Sequence, residues 1–333
     1  MSVSFSIAGN AGQKTIDAEV ARAVLAEQLG YEGIFVSEGL TGHDPFQVFA
    51  LAAAHTSRIR LGTAIMTLSF REPVVVACQA ATLNEISGGR VIVGMGTGDG
   101  TTYTMGRTAT PLARFEESVR ILRELVNGRT IRVPANQERK EGQVGLDRGR
   151  FPVPVYVASA GPRSLRVAGR VADGVILGVG FDTSTLDWAI EQIRLGAADV
   201  GRDPAEIELM GSGIMCVDSD RERAVELARA RLANRAHHNF RFTTETVPEN
   251  ELAAVKQFME AFDVTKPIDG RCPPHLVTDY LIRRFSIAGT PEQCVERVQQ
   301  LAEYGLKRIL LTIPPKAYLD AMKVWSEKVM PHV

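Results

Sequence analysis

The sequence predicts a single (β/α)8 TIM barrel with insertions, an α/β fold, and two observations carry this prediction. Short β-branched runs alternate with segments of helical period along the whole chain, which is typical of parallel strands joined by crossover helices. Eight such runs occur, the number that closes a barrel. The predicted strands are Val3 to Ala8, Gly33 to Ser37, Ile59 to Met66, Val91 to Met95, Pro154 to Ser159, Gly174 to Gly178, Ile207 to Val217 and Arg308 to Ile313.

Helix boundaries between these runs can be read from the sequence. One helix is predicted between Pro111 and Asn127, because apolar residues recur there at helical spacing: Phe115, Val119, Leu122 and Val126. Another begins at the capping box from Thr290 to Gln293, with proline at the first helical position. Gly305 is expected to end that helix.

We predict one domain over residues 1–333, since α/β barrels commonly run past about 250 residues as one unit. Two stretches exceed a minimal barrel. Residues 128–152 are polar and are interpreted as a loop or hairpin. Residues 236–279 are interpreted as a partly helical insertion near the barrel mouth, with a helical piece near Glu249 to Phe262. Long connections of this kind are commonly functional lids or disordered segments.

Composition indicates a cytoplasmic protein whose partner is a small molecule. The formal net charge is -1 and like charges do not cluster, which argues against a nucleic-acid or membrane partner. The N-terminus has no signal-peptide pattern and no run suits a membrane span. The four cysteines are widely spaced, which disfavours disulfides and zinc sites, and no metal is expected.

Gly94 to Gly100 is a glycine-rich stretch directly after a predicted strand. Glycines there let the backbone approach a ligand closely. The alternative is an ordinary tight turn, and the spacing is not that of a dinucleotide-binding fingerprint. Its position favours a site, because barrel active sites are built from the loops that follow strands.

Ser159 to Ser164 again leads from a strand into a helix. Pro162 suits the first helical position, which leaves the N–H groups of Arg163 and Ser164 free beside a guanidinium. Such a helix start favours a phosphate. An ordinary glycine cap with a solvated arginine explains the same residues equally well.

Two further loops follow predicted strands. A buried barrel strand and the residues at its end explain the segment from Leu61 to Thr67 without any binding role. Ser37-Glu38-Gly39 begins a loop in which Asp44 and Pro45 form a helix start, and Glu38 and His43 stand where a general acid would lie. For a lone loop histidine, exposure to solvent is the simpler interpretation.

Nearly the whole chain resembles the luciferase-like superfamily of flavin and deazaflavin oxidoreductases. Within it, the chain is most similar to the branch of F420-dependent methylenetetrahydromethanopterin reductases. The segments that carry the resemblance are Ala26 to Gly33, Arg60 to Thr63, Leu83 to Arg90, Gly94 to Asp99, Pro154 to Arg163, Ala172 to Leu177 and Ala288 to Glu292.

The resemblance implies a bacterial-luciferase-like barrel in which a hydride passes between coenzyme F420 and a small organic substrate at the C-terminal mouth. It implies a non-proline cis peptide at Ala64-Ile65 behind the cofactor ring and a homodimer. The implied cofactor-binding residues are Ser37, Thr63, Ala64, Ile65, Thr67, Gly96, Thr97, Gly98, Asp99, Ser159, Ala160, Gly161, Pro162 and Arg163. The candidates that orient or protonate the substrate are Glu38, His43, Asp99 and Tyr103, with Glu38 preferred.

Two alternatives stay open. An FMN-dependent monooxygenase that activates oxygen would share the barrel and the phosphate site. A non-catalytic cofactor-binding relative is the other, because fold does not guarantee chemistry. The chain departs from the resemblance at two places that bear on the substrate: Glu38-Gly39 stands where deazaflavin relatives often have an Asp-His pair, and Ala8-Gly9-Asn10 stands where the reductases have an acidic residue.

Overall fold

A closed barrel of eight parallel strands organises the computed structural model, which describes residues 3–8, 15–39, 42–98, 102–103, 105–133, 142–146, 151–266, 270–315 and 318–333. In chain order the strands are β1 Ser4–Ala8, β2 Gly33–Val36, β3 Arg60–Thr63, β4 Met66–Thr67, β5 Val91–Gly96, β6 Ile131–Val133, β7 Gly142–Val144, β8 Val155–Ser159, β9 Gly174–Leu177, β10 Glu208–Val217, β11 Ser286–Gly289 and β12 Arg308–Thr312. The barrel runs β1-β2-β3-β5-β8-β9-β10-β12 and closes where β12 pairs with β1.

Helices surround the barrel. They are α1 Ile16–Gln28, α2 Pro45–His55, α3 Pro73–Ser87, α4 Leu112–Val126, α5 Pro162–Val171, α6 Thr183–Ala198, α7 Arg221–Thr243, α8 Leu252–Ala261, α9 Asp279–Phe285, α10 Pro291–Tyr304 and α11 Tyr318–Lys328. Short 3-10 helices lie at Pro204–Glu206, Thr244–Thr246, Glu249–Glu251, Pro274–Leu276 and Met330–His332. None of the helices in the described ranges is long and apolar enough to cross a membrane.

The eight predicted barrel strands are confirmed, with two differences. The third, predicted as one strand over Ile59 to Met66, is divided into β3 and β4 by a cis peptide bond between Ala64 and Ile65. The short strand β11 was not predicted. It pairs in parallel with the last four residues of β10, from Ile214 to Val217.

The predicted helix ends are also confirmed. Thr290 and Gln293 form the reciprocal capping box, and Gly305 ends α10 with a φ of 105°. Pro111 caps α4, whose predicted apolar stripe is at most 1% exposed. In residues 128–152, β6 and β7 form an antiparallel hairpin. The segment 236–279 begins inside α7, because that helix continues to Thr243.

Three apolar clusters build the core. The largest lies between the barrel wall and the outer helices. A second joins α7, α8 and α9 above the end of β10. A small third cluster fills the barrel interior, with Ala64 and Ala158 at its partly buried edge; its buried members are Ala8, Phe35, Ile92, Tyr156, Ile176, Met210 and Leu310. The interior is therefore packed, and ligands have access only to its ends.

Cysteine reactivity provides a test of this packing. Cys78 is exposed, whereas Cys216, Cys272 and Cys294 are buried. Burial raises the pKa of Cys294 to about 12 and raises the pKa of Cys216, so neither thiol is deprotonated near neutral pH. We expect iodoacetamide to alkylate the native protein at Cys78 alone, as checked by peptide mass spectrometry. Early labelling of Cys216 or Cys294 would show that the barrel wall opens.

Candidate functional site

The C-terminal ends of the barrel strands form an open surface that we call the barrel mouth. Most residues inside the strands are buried, and partial exposure begins near the strand ends. The partly exposed positions are Ser37, Glu38, Ala64, Ile65, Thr97, Gly98, Ala158, Gly161 and Gly178. They come from neighbouring strands, from β2 to β9, so the described chain offers a continuous surface to a ligand at this end.

The bulge after β3, Ala64-Ile65, forms one wall of this surface. Its peptide bond is cis, which confirms the prediction from the family resemblance. The loop after β2 holds both of its carbonyls: Ser37 Oγ donates to Ala64 O at 2.5 Å, and the Glu38 N–H donates to Ile65 O at 3.0 Å. The residues that follow β2 therefore hold the backbone of the bulge, while Ala64 and Ile65 remain partly exposed.

Glycines of the Gly94 to Gly98 stretch lie against the bulge and its neighbours. A Cβ on Gly96 would come closer than 3.0 Å to Ile65 Cδ1. Gly98 has a φ of 86°, and a Cβ there would collide with the hydroxyls of Thr67 and Thr102. Glycine is required at Gly98 by its positive φ, whereas at Gly96 a side chain would first have to displace the end of Ile65; the loop after β5 thus packs closely beside the bulge.

The resemblance implies that Thr63 and Thr67 contact the cofactor. In the structure, both side chains are buried and their hydroxyls bond backbone groups. Thr63 is 2% exposed, and its Oγ1 both donates to Gly94 O and accepts from Gly94 N at 2.9 Å. The Thr63 hydroxyl therefore joins β3 to β5 inside the wall. Thr67 is 5% exposed, and its Oγ1 accepts from the Ser69 N–H at 3.3 Å.

Glu38 takes part in an ion-pair network that the sequence did not indicate. Its Oε1 accepts from Arg71 Nε at 2.5 Å and its Oε2 accepts from the Thr67 N–H at 3.1 Å. The same guanidinium donates to Asp44 and, at 3.1 Å, to Gln79 Oε1. Burial disfavours the charged Arg71, but its hydrogen bonds and the charges of Asp44 and Glu38 outweigh this and raise the pKa of Arg71.

The other catalytic candidates are less enclosed. His43 is partly exposed just before Asp44, which caps α2 by accepting from the N–H groups of Phe46 and Gln47. Tyr103 is 47% exposed. Asp99, named both as catalytic and as cofactor-binding, lies outside the described residues and stays a prediction.

The corner between β8 and α5 has the geometry expected of an anion site. Gly161 is the N-cap of α5, Pro162 is its first residue, and no side chain caps the helix start. Ser159 Oγ and Ser164 Oγ lie 2.5 Å apart, and Ser164 donates to Gly161 O at 3.0 Å. The Arg163 side chain is exposed, and among the described residues it has no ion-pair partner. Free backbone donors and a cation thus meet at this corner.

Helix α7 passes along the mouth and supplies residues that sequence reasoning missed. Arg235 Nη2 donates to Ser212 O at 2.9 Å and to Ser212 Oγ at 2.6 Å. One turn later, Asn239 Nδ2 donates to Gly178 O at 2.9 Å. At the end of the helix, a Cβ on Gly161 would lie 3.4 Å from Phe242 Cβ. The helix therefore passes the middle of β10 and then the ends of β9 and β8.

A cavity of about 610 Å³ lies between the residues that follow β4 and those at and before the start of α4. Arg71, Arg107 and Arg114 are among its lining residues. Within the described ranges, no group of three or more His, Cys, Asp or Glu side chains could hold a metal ion.

Comparison with known proteins places this geometry in context. The profile of the luciferase-like monooxygenase family matches residues 1–308. A 5,10-methylenetetrahydromethanopterin reductase of Methanolobus tindarius is 29% identical over 302 residues, covering 88% of this chain and 89% of the relative. An F420-dependent glucose-6-phosphate dehydrogenase of Beutenbergia cavernae is 30% identical over 333 residues, covering 94% of this chain and 92% of the relative.

A solved structure agrees with these relatives. The structure of the coenzyme F420 dependent tetrahydromethanopterin reductase of Methanopyrus kandleri matches with a TM-score of 0.77 and 26% identity. It covers 100% of this chain and 99% of that chain. The similarity therefore extends over the whole barrel and is not confined to one motif.

Proposed function

The chain belongs to the luciferase-like monooxygenase family, and from that premise we propose that it is an oxidoreductase dependent on the deazaflavin coenzyme F420. The choice of cofactor depends on one observation. The Beutenbergia and Methanopyrus proteins, which match nearly the full chain, are both F420-dependent. When bound, F420 supplies a carbon that accepts or donates a hydride. The chain itself positions cofactor and small organic substrate in the barrel mouth.

The residues of the mouth fit such a cofactor. We propose that the α5 start, with the loop from Ser159 to Pro162 leading into it, holds the phosphate through the free N–H groups of Arg163 and Ser164 and the side chain of Arg163. Gly96, Thr97 and Gly98 would line the ring, since Gly96 lies against Ile65 of the bulge and Thr97 and Gly98 are partly exposed at the mouth. Ala64 and Ile65 would support it from behind. Ser37 acts through its bond to Ala64 O.

Thr63, Thr67 and Glu38 take positioning roles in this proposal. Thr63 fixes β3 against β5, and Thr67 is tied through its N–H to Glu38. Because both Glu38 oxygens accept hydrogen bonds, we propose that its carboxylate holds the bulge region in place through Thr67 and Arg71. His43, Asp99 and Tyr103 remain the candidates for contact with the substrate.

Cofactor titration tests the proposal. The protein should bind F420 with a change in the fluorescence of the deazaflavin, and a substrate screen should reveal oxidation or reduction of the bound cofactor. FMN is the matched competitor, because a monooxygenase of this fold would prefer it. Tight binding of FMN without binding of F420 would overturn the proposal. Binding of F420 that never changes its redox state would identify a non-catalytic relative.

The phosphate site can be tested on its own. Arg163→Gln should weaken F420 affinity about tenfold, since one exposed charge-assisted contact is worth about 1.4 kcal/mol. Arg166→Gln is the control, because Arg166 lies on the same helix and is exposed but bonds Gln192 at 3.0 Å, away from the helix start. Isothermal titration of both variants measures the difference. Equal affinities would remove Arg163 from the site.

We also propose a homodimer in the cytoplasm. Several apolar side chains on α2 and α3 are unusually exposed, and a second copy of the chain could cover them: Leu51 is 46%, Val74 37%, Val75 51% and Ile86 56% exposed. Light scattering after size-exclusion chromatography should give twice the chain mass. A mass of one chain at micromolar concentration would contradict the proposed pairing.

A further inference from the structure

Arg235 is a cation in the barrel mouth that no described residue neutralises. Burial lowers its pKa to about 10, and this shift has no contribution from a neighbouring charge. Its Nε is buried without a hydrogen-bond partner, although the side chain as a whole is partly exposed. In the described ranges, no carboxylate lies within ion-pair distance of it. Burying a guanidinium without a counter-charge costs folding free energy, and a bound anion would reduce that cost.

The guanidinium lies on the inner side of the barrel. Met210 of β10 belongs to the interior cluster, and side chains two residues apart in a strand point to the same face. Ser212, two residues further along β10, therefore faces the interior nearer the mouth, and Ser212 is the residue that Arg235 Nη2 contacts. A Cβ on Gly211 or Gly213, the two residues that flank Ser212, would meet Phe181 outside the barrel.

Arg235 and the Ala64-Ile65 bulge lie on opposite walls. Around the closed barrel, β3 and β10 are separated by three strands in either direction, β5, β8 and β9 on one side and β2, β1 and β12 on the other. A ligand between these walls has the bulge on one side and the guanidinium on the other. The proposed phosphate corner is separate, because Phe242 beside Gly161 lies two helical turns, about 10 Å, along α7 from Arg235.

We propose that Arg235 binds an anionic group of the substrate, a carboxylate or a phosphate, in the barrel mouth. That the bound anion belongs to a substrate rests on the function proposed above, whereas the anion site itself does not. A guanidinium offers a planar pair of N–H donors that matches both groups, and here Nη2 is anchored by Ser212 while Nε is buried without a hydrogen-bond partner. The fixed donor restricts the orientation of the anion.

Anion binding to the protein without cofactor tests the site. Inorganic phosphate and acetate are the two probes, since they separate the two anion classes. Wild type should bind one of them at Arg235, and Arg235→Gln should weaken that binding at least tenfold by isothermal titration. Arg241→Gln is the matched control, because Arg241 is an exposed cation on the same helix that stacks on Phe242. Arg163→Gln removes the separate phosphate corner, so any remaining binding reports Arg235.

Stability distinguishes a binding role from a structural one. Without an anion, Arg235→Gln should keep or raise the melting temperature, because it removes an uncompensated charge, and the wild type should gain more than the variant from added anion. Arg235→Lys keeps the charge if the glutamine variant fails to fold, and it should retain part of the binding.

The outcomes separate this inference from the proposed function. Unchanged anion binding in Arg235→Gln, or a melting temperature that falls without any anion effect, overturns the role of Arg235 even if F420 binds. Failure of wild type to bind F420, with anion binding still dependent on Arg235, supports the site and overturns the cofactor assignment instead. Weaker anion binding with unchanged F420 affinity supports both.

Discussion

Gly94→Ala should lower the free energy of unfolding by about 3 kcal/mol, the cost expected when an atom is forced into a packed core that cannot move. A Cβ at this position would come closer than 3.0 Å to the carbonyl oxygen of Thr63, which is backbone and cannot turn away. The Gly94 N–H and C=O also bond Thr63 Oγ1 at 2.9 Å. The substitution therefore separates β3 from β5 next to the bulge. Urea unfolding followed by circular dichroism measures the change.

Gly270→Ala is the control for this prediction. Gly270 is exposed, and a Cβ there would meet no atom within 4 Å, so its free energy of unfolding should change by less than about 0.5 kcal/mol. A loss below about 1 kcal/mol in Gly94→Ala would mean that β3 and β5 can separate at little cost. The Thr63 hydroxyl would then be free to turn toward the mouth.

The barrel could be predicted from the sequence because its strands are buried on both faces. Such strands appear as short continuous apolar runs, and each of the eight runs ended within a few residues of the observed strand. Strand β11 was missed because its four residues directly follow α9, with no turn residues between the two elements. Periodicity alone cannot divide such a segment.

The site could be predicted only where local chemistry determines it. Pro162 at the start of α5 and Asp44 at the cap of α2 depend on neighbours in sequence, and both were identified correctly. The Glu38 network was missed because Arg71 lies 33 residues away along the chain and meets Glu38 only when β2 and β3 pair. Arg235 was missed because it is one of several arginines in a charged helix, and only the fold separates it from the exposed ones.

Arg71→Met should lower the free energy of unfolding by about 2 kcal/mol and reduce turnover at least tenfold. Removing one partner of a fully buried ion pair costs about 3 to 5 kcal/mol, and the cost here is smaller because the side chains of Arg71, Glu38 and Asp44 are 20%, 9% and 23% exposed. The loss leaves two carboxylates unpaired. It also frees Glu38 to move away from Thr67, so the bulge is held less firmly.

Glu38→Gln separates the two roles that this carboxylate could have. Glutamine keeps an acceptor for the Thr67 N–H but carries no charge and cannot be a general acid or base. If Glu38 positions the bulge, Glu38→Gln should reduce turnover only a few-fold without altering its pH profile, and adding it to Arg71→Met should restore part of the stability by removing an unpaired charge. If the pH profile loses one limb while F420 affinity is unchanged, Glu38 transfers a proton and the positioning role is wrong. The pH profile decides between these outcomes, because the ion pair with Arg71 makes compensation in stability expected in either case.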